Sequence, residues 1–205
     1  MVHVVECLWI VTKEASMLTI FVGWRKQFIG TEDEKTMKVY PLLVKANGKY
    51  QYLNDQEFSD VADVELIVTR WFIPFLGVRI RLTSKLKKGI ITFLNEYHAK
   101  QYIDFDCYSF AELVENVNQE KLPESRSTLW QPRHRVLRRK VGDIIFMRNH
   151  KEKNFHAAIY IGLGLYLSVY GAGGDLEVAT LRDMKRDFKT PELRYVTLNS
   201  EAATK

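Results

Sequence analysis

Cysteine is scarce in this chain. Of 205 residues, only Cys7 and Cys107 carry a thiol. Two cysteines build neither a disulfide framework nor a thiolate zinc cluster, and the expected setting is a reducing compartment. Long apolar runs are missing too. Glu6, Lys13, Glu14 and Arg25 interrupt the apolar N-terminal stretch. No run approaches the ~20 residues a membrane-spanning helix needs. No basic segment precedes Val2–Val11 and no small-residue cleavage site follows it, so no secretory signal is read. The expectation is a chain that is cytoplasmic as synthesised and would leave the cell only by a signal-independent secretion route. Charge of one sign is also in short supply. Thirty Lys+Arg against 25 Asp+Glu give a formal charge of +5, too little to argue for nucleic acid. Neither a solenoid-period repeat nor a low-complexity tract is present.

What is present suffices for a core. Hydrophobic residues make up 46% and charged residues 27%, which excludes disorder over the whole chain. Val2–Thr12 and Met17–Trp24, rich in β-branched and aromatic residues, read as strands. Lys38–Val44 and Lys49–Leu53 flank Asn47-Gly48, a favoured two-residue hairpin turn. Val64–Ile73 and Val78–Leu82 are further strands. The texture changes at Ser84. Leu86, Ile90, Phe93, Leu94 and Tyr97 have helical spacing over Ser84–His98, with Ser84 as the N-cap. Phe110, Leu113, Val114 and Val117 form the apolar stripe of a second helix, Cys107–Asn118. Leu122–Arg139 reads as loop. Short strands follow at Asp143–Arg148, His156–Gly162, Leu165–Tyr170 and Leu176–Thr180, punctuated by glycine and asparagine. A short helix is placed at Leu181–Asp187, and Asn199–Lys205 is read as a frayed end. Helices followed by a run of strands indicate the α+β class.

Cys107 begins the second helix, in Phe105-Asp106-Cys107-Tyr108-Ser109-Phe110. A helix N-terminus carries partial positive charge and unpaired N–H groups, which favour the nucleophilic thiolate. The Cys107 N–H would also face an oxyanion formed by attack there. Cys7, among Val5, Leu8 and Trp9, reads as strand filler. His156 heads a strand, from which an imidazole can reach a neighbouring helix N-terminus and serve as general base. The plainer reading of Cys107 is core filling, and of His156 a surface or capping role.

Three segments in order carry a resemblance. Asp106-Cys107-Tyr108-Ser109-Phe110, Gly142-Asp143-Ile144-Ile145-Phe146 and His156–Gly162 resemble the nucleophile, Gly-Asp and histidine motifs of the NlpC/P60 superfamily of papain-like cysteine hydrolases. Tyr108-Ser109 replaces the usual Ser-Gly, and Ala158 stands where glycine is common. The resemblance covers about Ser84 to Leu181. It implies a nucleophile-bearing helix packed on an antiparallel β-meander, with Cys107 as nucleophile and His156 as general base. It places Ser168 third, orienting the imidazole, with Tyr170 as a substitute on the same strand face. Tyr102, Asp106, Tyr108 and Ser109 are its substrate-binding or oxyanion candidates, and a buried aromatic is the other reading of Tyr102. A circularly permuted branch puts its histidine before its cysteine. His3 and His98 are the residues available for that order, and neither heads a His-x-x-Ile-Tyr strand.

The expected layout is a β-rich N-terminal part over 1–83, outside the resemblance and read as a substrate-recognition or scaffolding part, then a papain-like catalytic domain over 84–198 and a flexible tail over 199–205. The implied function is cleavage of an amide bond in a cell-wall peptide or a protein, by a chain that could be a delivered toxin or effector. The alternatives are a degraded binding module, or an acyltransferase or thioesterase on the same fold. Expected partners are a peptide, peptidoglycan or an acylated substrate. Arg133, Arg135, Arg138, Arg139 and Lys140, with His134 among them, make a basic cluster that reads as a solvated loop or as a contact for an anionic surface. Without interleaved aromatics it does not suggest nucleic acid. No cofactor is implied, and His150 with His156 lacks the spacing of a metal site. Gly171-Ala172-Gly173-Gly174 lacks the Gly-Lys-Ser/Thr ending of a phosphate loop and reads as a turn.

Overall fold

The computed structural model describes residues 16–23, 27–29, 37–69, 77–98, 105–115, 139–149, 154–170, 175–188 and 192–196. The expected strand Val2–Thr12, the loop Leu122–Arg139 up to residue 138, the glycine-rich turn at 171–174 and the end at 199–205 lie outside them.

The described residues form an α+β structure. A mixed five-stranded sheet has the order β5-β4-β1-β6-β7. Its strands are β1 (Ser16–Val22), β4 (Leu42–Ala46), β5 (Lys49–Tyr52), β6 (Val61–Thr69) and β7 (Gly77–Ile80). β1 pairs antiparallel with β4 and parallel with β6. Asn47 (φ 51°) and Gly48 (φ 78°) turn β4 into β5, the positive-φ pair that an Asn-Gly hairpin favours. The run expected over Lys38–Val44 is broken in two. β3 (Met37–Val39) pairs with β2 (Gln27–Ile29) in a separate ribbon, and β4 joins the main sheet. Pro41 has no N–H to continue a ladder. At the break, Tyr40 N–H donates instead to Val178 O at 2.6 Å.

The second sheet is an antiparallel meander, β8 (Ile144–Asn149), β9 (Asn154–Gly162), β10 (Leu165–Tyr170) and β11 (Asp175–Thr180). β12 (Glu192–Val196), which the sequence reading did not foresee, adds outside β8.

α1 (Ser84–Thr92) starts one residue earlier than a cap at Ser84 would place it. Thr83, not Ser84, is the N-cap, its hydroxyl accepting from Leu86 N–H. Its backbone is extended (φ −71°, ψ 156°), as an N-cap requires. At Phe93–Tyr97 the helix widens into π turns. α1 packs on β6, α2 (Cys107–Glu115) packs on β9 and β10, and the two helices pack on each other. One apolar core therefore runs through both sheets. Leu86, Ile90, Leu94, Phe110 and Val114 from the helices join Val64 and Leu66 of the first sheet and Ile159 and Val169 of the second. Each fully buried side chain of this kind contributes about 1.5–3 kcal/mol.

α3 (Leu181–Asp187) covers the other face of the meander. There Met184 packs with Ile145, Met147, Ala158 and Tyr166. Thr180 caps it, accepting from Asp183 N–H at 3.2 Å. Among the described residues no helix is long and apolar enough to cross a membrane.

Candidate active site

Asp106 sets the start of α2. One carboxylate oxygen accepts from Tyr108 N–H and Ser109 N–H, both at 3.0 Å, and from the Ser109 hydroxyl at 3.2 Å. Phe110 N–H closes the first helical turn on Asp106 O. This makes Asp106 the N-cap and Cys107 the first helical residue. Cys107 is 8% exposed. The backbone N–H groups of Tyr108 and Ser109 are spent on the cap. Tyr108 itself stacks on Phe146 of β8, with centroids 5.9 Å apart. Tyr102 lies outside the described residues.

The Gly-Asp segment closes the turn that feeds β8. Lys140 N–H donates to the Asp143 carboxylate at 2.6 Å, and Asp143 N–H returns to Lys140 O. Tyr160 N–H donates to Asp143 O, which ties this turn to β9. Within the basic cluster, residues 133–138 lie outside the described residues, while Arg139 and Lys140 are exposed. The Arg139 guanidinium donates to the Tyr166 hydroxyl at 2.5 Å and sits 5.5 Å from the centroid of the Tyr160 ring.

His156 is 2% exposed. Alternation along β9 sends Ala157, Ile159 and Ile161 into the core that α2 shares. His156 and Ala158 face the α3 side. The imidazole stacks on Tyr170 (centroids 4.7 Å, interplanar 25°) and on Phe188 at the end of α3 (4.8 Å, 16°). Its Nε2 is buried without a hydrogen-bond partner. Burial pushes its pKa down to about 3, because a charged ring cannot be solvated there.

Ser168 is fully buried, and its hydroxyl donates to Ala157 O at 2.6 Å, with a longer contact to Val169 O at 3.3 Å. Its proton is thus committed to backbone carbonyls. Tyr170 is in contact with one half of the candidate pair and feels the charge of the other. Its ring lies on the imidazole, and Cys107 lies near enough for a thiolate charge to raise its pKa, second to burial itself. Glu177, Asp187 and Asp183 act in the same direction. The Tyr170 hydroxyl is buried and unpartnered.

The sequence reading missed two neighbours of this site, Phe188 and Glu177. Glu177 pairs across the ladder with Ser168 and is 3% exposed. Asn54, from the turn after β5, donates to its Oε1 at 3.1 Å, and Oε2 has no partner. Burial, with the charge of Asp175, pushes its pKa up to about 8. A carboxyl inside the apolar run Leu176-Glu177-Val178-Ala179 was a signal available in the sequence. Among the described residues no group of three or more His, Cys, Asp or Glu gathers as a metal site.

The fold and site define an α+β protein with a thiol at a capped helix start beside a histidine-bearing antiparallel meander. Residues 94–191 match the model of the NlpC/P60 family, so the likeness read from three short motifs holds at the level of the family over this segment. That family is of the cysteine peptidase and amidase type, generally hydrolases, with peptide or peptidoglycan substrates. Comparison with curated proteins gave no match.

Proposed function

We propose that the protein is a cysteine hydrolase acting on an amide bond. Cys107 is the nucleophile and His156 the general base. The Cys107 thiol passes its proton to the imidazole as Sγ bonds to the carbonyl carbon. Collapse breaks the C–N bond, and the imidazolium protonates the leaving amine. Water then attacks the thioacyl carbon, regenerating the thiol. The Cys107 N–H, at the first helical position, stabilises the oxyanion in this reading. The observation that carries this reading is the placement of Cys107 as first residue of the capped α2, inside the family-matched segment.

Tyr170 supports the pairing, since it lies on His156 and feels the charge of Cys107. Tyr170 rather than Ser168 steadies the imidazole in this reading, because the Ser168 hydroxyl is turned to the backbone. Peptide stems of peptidoglycan are the first substrates to try. Delivery of the chain as a toxin or effector would bring it to them.

A second reading has its own observation. The unpartnered, buried Nε2 of His156 also suits a binding module that has kept the fold and lost catalysis. Incubation with peptidoglycan fragments and amide peptides, read by mass spectrometry, separates the two. Cleavage that is lost in Cys107→Ala and His156→Gln is the expected result. Unchanged cleavage in Cys107→Ala overturns the nucleophile, and peptide binding without cleavage favours the module.

A further inference from the structure

The plane of a histidine ring is normally fixed by a hydrogen bond at the nitrogen away from the chemistry. The Nε2 of His156 is buried and has no hydrogen-bond partner. What holds it instead is a pair of rings. Tyr170 stacks on it from the neighbouring strand β10, at 4.7 Å, and Phe188 from the end of α3, at 4.8 Å and within 16° of parallel. Tyr170 is fixed by the sheet. Phe188 depends on α3, whose start is held by Thr180 and whose last turn closes through Phe188 N–H to Met184 O at 2.9 Å.

We propose that Phe188 is a positioning residue of the site: from the end of α3 it sets the plane of the His156 imidazole and keeps water from it. This rests on the reading of His156 as the general base. In this arrangement the imidazole is kept neutral, without a partner at Nε2, and its setting is governed by Tyr170 and by the end of α3. The groups near enough to influence it are known. Tyr170 lies on it and Met147 of β8 opposes it across the ladder; the charges of Cys107, Glu177, Asp187 and Asp183 act on the Tyr170 hydroxyl, whereas the imidazole itself is shifted by burial. Arg186 pairs with Asp187 at 3.0 Å and with Asp183 at 3.8 Å, which mutes the two carboxylates of α3. Removal of the Phe188 ring therefore acts mainly by admitting water. Protonation of the freed imidazole then becomes easier, and a thiolate beside it is stabilised.

The test uses the full chain with Cys7→Ser, so that Cys107 alone reacts. Two quantities are read: the NMR titration of the His156 imidazole, assigned by its loss in His156→Gln, and the pH profile of Cys107 alkylation by iodoacetamide. In Phe188→Ala the imidazole titration is expected to rise by about two pH units, with the alkylation profile moving to lower pH. Phe188→Tyr is expected to restore both. A folded Phe188→Ala protein whose His156 titration does not move overturns the proposal. If the titration moves and the alkylation profile does not, Phe188 positions the ring as proposed and the Cys107–His156 pairing fails. Should Phe188→Ala not fold, Phe188→Leu keeps the apolar wall without the ring. The His156 ring protons must then shift downfield, and unmoved resonances overturn the proposal equally.

Discussion

Replacing Glu177 by glutamine should stabilise the protein, and by an amount that depends on pH in a defined way. The side chain is 3% exposed, with Asn54 on one oxygen and no partner on the other. Burial raises its pKa from the ordinary 4.5 to about 8. The folded protein therefore keeps this carboxyl protonated where the unfolded chain has released the proton. The stability it permits is fully present below about pH 4.5 and is lost as pH rises through 8. Each unit of displacement corresponds to about 1.4 kcal/mol. By pH 7 the loss is about 3 kcal/mol, which local relaxation and water entry reduce.

His156 works in the opposite direction. Its pKa falls from 6.5 to about 3, so the stability from burying it neutral is present above pH 6.5 and is lost as pH falls through 3. Between about 4.5 and 6.5 the two slopes cancel, leaving a plateau that falls away on both sides. Glutamine keeps an acceptor for Asn54 and cannot ionise. Urea unfolding at pH 5, 7 and 8.5 is the assay. The Glu177→Gln protein should lose the alkaline fall and gain about 2–3 kcal/mol over wild type at neutral pH, keeping the acid fall. Parallel profiles for the two proteins would refute the reasoning.

Two further perturbations follow from the helices. In Asp106→Ala, Tyr108 N–H and Ser109 N–H lose their acceptor. A loss of about 1 kcal/mol is expected from the cap, read by thermal unfolding, and Asp106→Asn should recover most of it. Gly89 is where α1 meets α2. A Cβ there would lie 2.4 Å from Val114 Cγ2 and 3.0 Å from Val114 Cα. Gly89→Ala should cost about 1–3 kcal/mol by overpacking. Adding Val114→Ala should not fully restore stability, because the backbone atom remains, and a double-mutant cycle in urea checks this.

The parts of the molecule legible in sequence are those with local causes. Leu86, Ile90 and Leu94 reveal α1 by spacing, and Leu165–Tyr170 and Leu181–Asp187 appear where the residues place them. The cap of α1 was misassigned by one residue, because Thr83 and Ser84 are both good caps and only the backbone angles choose between them. What depends on distant partners was not legible. β12 alternates Glu192 and Arg194 with Leu193 and Tyr195, but over only five residues, and the partner it needs, β8, lies more than forty residues back. The break at Pro41 follows from its missing N–H, but the use of Tyr40 to reach Val178 does not. At the site, the motifs point to Cys107 and His156, whereas the burial of His156 comes from Phe188 on α3, and that of Glu177 from a turn 123 residues away.

The parallel pairing of β1 with β6 bears on how the chain reaches this structure. β1 lies between β4 and β6, with Ser16 opposite Val61 and Val22 opposite Val68. The hairpin of β4, its neighbour on one side, with β5 can form early, but the centre of the sheet waits until the chain has been made well past residue 69. β12 likewise closes the edge of the meander only after everything before it exists. Loop closure over such separations must precede the contacts that reward it, which places folding toward the millisecond-to-second end of the range for domains. During that interval β1 and β8 present open strand edges. A chain emerging from the ribosome is thus exposed to mispairing until β12 is in place.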